Sequence, residues 1–429
     1  MNKKVISACA GEKKVLSQED VLKVISTTLP VEDYRNKRIL LIIPDHTRTA
    51  PVGMVFKLVY EQIGMVTKAL DIIVALGTHS QMSEEAICNR LEISLQERRE
   101  KYGKVKFINH EWNNPAALKT VGTITADEIE TLTNGLFSMD VPVEVNKALF
   151  DYDKVIIIGP VFPHEVVGFS GGNKYLFPGV GVPRILNFFH WLGAVMTNPV
   201  IIGRKWTPVR RVVDKAGAMV NVPKFCFSLV VDGTEFAGIF AGSPEAAWDC
   251  ASDLSRKLHI VYKDHPYSLI LSCAPKMYDE LWTGGKCMYK LEPVLADDGE
   301  LIIYAPHISQ ISETHGRIIE EIGYHCRDYF LKQWDKFKNY PWGVLAHSTH
   351  VRGIGRFENG VEKCRAKVTL ATSIPESVCK KINLGYRDPS KIKIEDFVGR
   401  ENEGVLVVPK AGEMLFRLKN PPDWAGSEV

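Results

Sequence analysis

The chain has 429 residues, 45% of them hydrophobic, with 53 Lys and Arg against 51 Asp and Glu. That length allows two or three domains with ample core, while the near-neutral charge gives no footprint for nucleic acid or for a membrane surface. No apolar run reaches the roughly 18–20 residues of a spanning helix, and nine scattered cysteines without a Cys-x-x-Cys pair argue against a disulfide framework and a structural zinc site.

A reducing cytoplasm is the expected compartment. The start, Met1 to Ala10, imitates a lipoprotein signal, but its apolar part of about five residues is shorter than the roughly 7–15 of an h-region. Residues 1–35 are polar and weakly patterned. Arg38-Ile-Leu-Leu-Ile-Ile-Pro44 then reads as a buried parallel strand, a continuous apolar run rather than an alternating one. It leads into Asp45-His46-Thr47-Arg48, and a helix is predicted from about Val52 to Lys68. A second buried strand, Leu70 to Leu76, runs into Gly77-Thr78-His79, and a helix follows near Ser83, a good N-cap. Strand, polar loop and helix in alternation predict an α/β domain with a parallel sheet, whose ligands bind at the carboxyl ends of the strands.

The strand Lys154 to Gly159 precedes the most distinctive stretch, His164 to His190. Gly168, Gly171, Gly172, Gly179 and Gly181 surround Lys174, and a helix opens near Pro183. Such glycines suit a phosphate-binding nest, and a lysine within one neutralises an anion or attacks a carbonyl carbon. Taken singly, each residue is an ordinary turn or loop residue; the composite points to a cofactor-holding loop. Further strands are predicted at Phe225 to Val231, Ser268 to Ser272, Gly299 to Tyr304, Trp342 to Ala346 and Val405 to Val408. Helices are predicted to about Lys257, at about Glu313 to Gly323 and at about Tyr329 to Phe337. With a boundary near Lys263 to Pro266, the reading is of two α/β domains with mainly parallel sheets and an active site in the cleft between them. Residues 1–265, joined by 400–429, form the cofactor domain, and 266–399 the substrate domain.

The dinucleotide fingerprint Gly-x-Gly-x-x-Gly, a Walker loop and a Gly-x-Ser-x-Gly elbow are all missing from the sequence. His347-Ser-Thr-His350 has a metal-compatible offset but no Glu or Cys beside it, and reads as a pair of loop histidines.

Taken together, Asp45-x-x-Arg48, Gly77-Thr78-His79, His164 ten residues before the lysine of Ser170-Gly-Gly-Asn-Lys174, Phe177-Pro-Gly179, His190 sixteen residues after it, and Lys286 form a specific set. Over most of its length the chain resembles the nickel-dependent lactate racemase family, enzymes that interconvert the C2 stereoisomers of 2-hydroxy acids. The resemblance implies a nickel-pincer nucleotide, pyridinium-3,5-bisthiocarboxylic acid mononucleotide, joined covalently to Lys174, with His190 as protein ligand of the nickel. Asp45, His46, Thr47, Arg48, Ser170, Gly171 and Gly172 would help hold the nucleotide. His79 and His164 would be the acid/base pair, taking the hydroxyl proton as hydride leaves C2 for the cofactor and a transient 2-keto acid forms. Arg48, Trp282, Thr283 and Lys286 would bind substrate. Where the lactate enzymes carry Tyr-Gln, this chain has Trp282-Thr283 followed by Gly284-Gly285, which reads as a pocket enlarged for a longer acid such as an aldonate. The implied partners are the 2-hydroxy acid and, transiently, the cofactor-synthesis proteins, with neither nucleic acid nor membrane. The alternatives are a lactate racemase proper, an NAD-linked or cofactor-free hydroxyacid isomerase or dehydrogenase, and a non-catalytic carrier of cofactor or nickel.

Overall fold

The computed structural model describes residues 5–11 and 15–425. Residues 1–4 of the signal-like start lie outside the described residues, but Ile6–Cys9 forms a strand in a sheet. No helix among the described residues is long and apolar enough to cross a membrane.

Continuous runs of β-branched and leucine side chains need cover on both faces, and parallel strands supply it. Arg38–Pro44, Ala69–Ala75 and Lys154–Pro160 are such strands, nearly fully buried and paired in parallel about the central Arg38–Pro44. Phe107–Asn109 extends the sheet on one side and Lys224–Asp232 on the other, both in parallel. The Asp232-Gly233 turn, with Gly233 at a φ of 61°, folds Glu235–Gly242 back antiparallel, and Ile6–Cys9 closes that edge. Ile39, Leu41, Ile43, Ile72, Val74, Ile156 and Ile158 point into one core with Val55, Phe56 and Val59 of the helix Val52–Val59. The helix expected to reach Lys68 passes instead into a π turn, Tyr60–Gly64, where a side chain at Gly64 would meet the Tyr60 ring at 2.8 Å.

A second sheet of five parallel strands runs in the order Gly385–Tyr386, Lys367–Thr372, Leu295–Ala305, Tyr267–Cys273, Val405–Val408. The C-terminal stretch therefore differs from the expectation for 400–429. Val405–Val408 pairs with Tyr267–Cys273, and Leu415–Leu418 pairs with Ile260–Lys263, so both belong to the second sheet's unit. A short apolar run carries no information about which parallel edge will receive it. The strand expected at Trp342 to Ala346 is the first half of a helix, Trp342–Arg352. Its residues Gly343 to Val351 are buried all round, which hides helical periodicity, and Gly353 at a φ of 82° ends it. The two α/β units are discontinuous in sequence: Pro163–Gly168 and Asn187–Arg204 group with 259–429, the remainder of 1–258 with the first sheet.

Candidate active site

In the first unit, two loops at the carboxyl ends of adjacent parallel strands meet through side chains. Asp45, 4% exposed, ends the Arg38–Pro44 strand, and its Oδ2 lies 2.6 Å from Nδ1 of His79, beyond the Ala69–Ala75 strand. Its Oδ1 accepts from the Thr47 amide at 3.1 Å and the Thr47 hydroxyl at 2.6 Å. Burial alone would raise the Asp45 carboxyl, but the hydrogen bond and charge of His79, with Arg48 and Thr47, hold it well below the usual carboxylate range. An ionised carboxylate only accepts, so Nδ1 of His79 carries the hydrogen and Nε2 keeps the lone pair. The His79 side chain is half exposed, Arg48 is partly buried and His46 is exposed. Arg90, which the sequence did not single out, donates from Nε to Pro44 O and from Nη1 to Ala50 O, bracing the loop that carries Asp45 and Arg48.

The glycine loop lies in the same unit. Ser170 exchanges hydrogen bonds with Phe162, its amide donating to Phe162 O at 2.8 Å and its Oγ accepting from the Phe162 amide at 2.9 Å. Arg210, 1% exposed, donates from Nη2 to Phe169 O and Gly171 O and lies 3.7 Å from the Trp248 ring centroid, while Trp248 Nε1 donates to Ser170 O. The glycines answer to this clamp: a Cβ at Gly171 would sit 2.6 Å from Val161 Cγ2, and one at Gly172 2.9 Å from Trp248 Cβ. Their φ values of 92° and 57° also favour glycine. Packing against the chain itself, rather than a ligand, accounts for both residues. The clamp ends in a 3-10 turn, Gly172–Tyr175, that presents the half-buried Lys174. The Gly77 amide donates to Gly179 O at 2.9 Å and ties the His79 loop to the end of this stretch.

In the second unit, His164 is 8% exposed and accepts at Nδ1 from the Val166 amide at 3.1 Å; Glu165 Oε2 lies 3.4 Å from the same nitrogen. An amide can only donate, so the neutral His164 carries its hydrogen on Nε2, the tautomer opposite to that of His79. Burial would raise the Glu165 carboxyl, but His164, His350 and Lys290 keep it well below the usual range. His190 is half-buried in the helix Pro183–Met196.

Leu281–Gly284 and Lys286–Tyr289 are consecutive helical turns that place Trp282, Thr283 and Lys286. Lys286 Nζ lies over the Tyr278 ring at 4.8 Å, and the Thr283 hydroxyl donates to Glu280 O. Gly284 and Gly285 do not enlarge a pocket here. A Cβ at Gly285 would meet Val351 Cγ2 at 2.8 Å and His347 Nε2 at 3.1 Å, and one at Gly284 would meet Ile308 at 3.0 Å. His347 and His350, read from sequence as loop histidines, sit one turn apart on the buried helix Trp342–Arg352. His347 stacks on Trp282 with ring centroids 3.9 Å apart, and the field of His350 couples to Glu165 and His190.

Nitrogen donors suit Ni(II), so the donor chemistry offered fits the implied group. The first unit offers the amine of Lys174 on a braced turn, with Arg48 partly buried. The second offers His190, in the same unit as His350, whose Nε2 is buried without a hydrogen-bond partner. The remaining candidate ligand cluster among the described residues is Cys326, Glu362 and Cys364, with ligand atoms within 4.8 Å of one another. There Glu362 is already held by His325 and the Cys326 amide, while the hydrogen bond to Cys326 and burial push the Cys364 thiol far up. It reads as a hydrogen-bonded packing knot.

A family model described as the lactate racemase N-terminal domain matches residues 12–200. A lactate racemase of Thermoanaerobacterium thermosaccharolyticum is 25% identical over 259 residues, 57% of this chain and 55% of that one. A lactate racemase of Lactiplantibacillus plantarum is 24% identical over 270 residues, 60% of this chain and 58% of that one. These matches span little more than half the length of either curated relative. Among solved structures, a Thermotoga maritima protein superposes with a TM-score of 0.85 at 36% identity, over 95% of this chain and 99% of that one. The lactate racemase apoprotein of Thermoanaerobacterium thermosaccharolyticum superposes with a TM-score of 0.70 over 94% of each chain; at 18% identity this speaks for a common fold. Residues 12–200 are thus similar to the lactate racemase N-terminal domain, and the chain as a whole shares the fold of a lactate racemase apoprotein.

Proposed function

We propose that this protein is a racemase or epimerase that inverts C2 of a 2-hydroxy acid longer than lactate, using a nickel-pincer nucleotide. The observation that carries the reading is a carboxylate at Nδ1 of each candidate histidine, Asp45 Oδ2 at 2.6 Å from His79 and Glu165 Oε2 at 3.4 Å from His164. Asp45 holds the hydrogen of His79 on Nδ1 and leaves the Nε2 lone pair as a base; His164 acts as the acid in its imidazolium form, with Nδ1 beside Glu165 and Nε2–H as the proton given up. A reaction run in both stereochemical directions needs one histidine to accept the hydroxyl proton and the other to return one, with the roles exchanged on reversal. Buried, ionised Asp45 and Glu165 stabilise the imidazolium that each histidine becomes in turn.

Lys174 and His190 would hold the nucleotide and its metal, with Asp45 to Arg48 and the Ser170–Gly172 backbone beside it. When bound, that group supplies a hydride acceptor, which makes loss of the C2 hydrogen feasible without a carbanion next to a carboxylate. Arg48 and Lys286 are the cations suited to the substrate carboxylate. Trp282 lends the substrate side an apolar wall.

The test uses protein made in cells that synthesise the cofactor. Nickel near one per chain, added mass on Lys174 and C2 inversion of a 2-hydroxy acid are expected. His79→Ala and His164→Ala should each lose about 10²–10⁴-fold in turnover while keeping nickel. If Lys174→Ala and His190→Ala both retain full nickel and activity, the cofactor assignment fails; wild-type inversion by either histidine variant ends the two-base scheme.

A further inference from the structure

His110 shows how this fold treats a histidine that is only structural. It is fully buried, with Nε2 against Gly181 O at 2.7 Å and Nδ1 against the Asn146 amide at 3.1 Å, so both nitrogens are partnered. The histidines of the helix Trp342–Arg352 are different. His347 is 8% exposed and His350 4% exposed, yet His347 Nδ1 and His350 Nε2 are buried without a hydrogen-bond partner. A buried polar atom left unpaired is costly, and natural cores contain few of them.

The two residues, three apart, share one helix face. They adjoin both groups of residues assigned above in this unit. His347 stacks on Trp282 at an interplanar angle of 11°, and its Nε2 lies 2.9 Å from Trp282 O. His350 is in the field of Glu165 and His190.

Hydrogen-bond valence says what they would take. Trp282 O is a carbonyl and only accepts, so the neutral His347 carries its hydrogen on Nε2 and presents a bare lone pair at Nδ1. That lone pair needs a donor. A methyl or phenyl group has none to offer, and a second carboxylate is itself an acceptor. A carboxylate would also be opposed by the Glu165 charge, whose field reaches both histidines. A hydroxyl donates and accepts, so it satisfies His347 Nδ1 and suits His350 Nε2 in either tautomer.

We infer that His347 and His350 are specificity-determining residues that hydrogen-bond a hydroxyl on C3 or beyond, making the substrate a polyhydroxy 2-hydroxy acid. The inference rests on the C2-inversion reading, in which the C2 hydroxyl is already engaged by the histidine bases. It moves the basis for a longer substrate from the glycines beside Lys286, which the chain itself fills, to the face of a helix.

The experiment measures kcat/KM for C2 inversion of gluconate, malate and lactate by cofactor-loaded protein, following the C2 proton by NMR. Wild type should favour gluconate over both others. His347→Phe keeps a ring against Trp282 but removes the acceptor, and the gluconate-to-lactate ratio should fall on the order of 10–100-fold, mainly through KM. His347→Asn returns an acceptor near the Nδ1 position and His350→Gln one near Nε2, so both should hold the ratio closer to wild type than His347→Phe and His350→Phe do. A ratio that does not move in the Phe variants, or a wild-type preference for lactate or malate, overturns the inference while leaving C2 inversion standing. Equal losses on all substrates, unrelieved by Asn or Gln, assign the histidines to packing and also overturn it. No inversion of any of the three acids removes the C2 reading and this inference with it.

Discussion

Replacing Asp45 by Asn tests the first-unit dyad with one atom changed. Asp45 presents two acceptor oxygens: Oδ1 takes the amide and hydroxyl of Thr47, and Oδ2 takes His79 Nδ1 at 2.6 Å. Asparagine has one oxygen. With two Thr47 donors on one side, the amide oxygen stays there and the NH₂ faces His79, which must then accept at Nδ1 and carry its proton on Nε2. The residue proposed as base is left in the wrong tautomer and loses a charge-assisted hydrogen bond. Such bonds contribute about 1.5–3 kcal/mol, and at about 1.4 kcal/mol per tenfold kcat should fall about 10- to 150-fold. Thermodynamics requires both directions of inversion to lose efficiency together. The assay is initial-rate C2 inversion from each stereoisomer on nickel-loaded protein, with nickel content and denaturant unfolding as controls. Once His79 is gone, the carboxylate has no imidazole to orient, so Asp45→Asn in a His79→Ala background should cost little further turnover per bound nickel, nucleotide holding being read separately as nickel content. A single variant within about threefold of wild type, or additive losses in the double variant, would refute the argument.

Two more outcomes follow from the packing and burial around the sites. Gly171→Ala puts a Cβ 2.6 Å from Val161 Cγ2 at a φ of 92°, so urea unfolding should show a loss of about 1–3 kcal/mol or more; an unchanged midpoint would mean the loop yields. Burial pushes the His347 imidazole down to about 3 from an ordinary 6.5, against the raising effect of its bond to Trp282 O. Its folded pKa is below its unfolded one, so its contribution to stability is present above about pH 6.5 and is lost as pH falls toward 3. Unfolding free energy measured between pH 7 and 4 should decline less steeply in His347→Phe than in wild type, by at most about 1.4 kcal/mol per pH unit for a single group; parallel slopes would contradict the depressed pKa.

Much of the fold was legible because its signals are local. Arg38–Pro44, Ala69–Ala75 and Lys154–Pro160 are apolar runs long enough to need cover on two faces, and strand-to-helix alternation around them specifies parallel pairing. The resemblance to the lactate racemases could be read as well, since Asp45, Arg48, His79, His164, Lys174 and His190 lie in motifs set by spacing along the chain. Tertiary structure decided what depends on partners distant in sequence. Whether Trp342 to Ala346 is strand or helix, and which sheet takes Val405–Val408, turned on burial from all sides and on a free parallel edge. Arg210 and Trp248 explain Gly171 and Gly172 from 38 or more positions away, so the need for glycine there looked like a ligand's until their neighbours were in place. The tautomers of His79 and His164 and the unpaired nitrogens of His347 and His350 were likewise beyond the sequence. A proton's position on an imidazole is set by whichever donor or acceptor the fold brings within 3 Å or so, and residue order does not encode that neighbour.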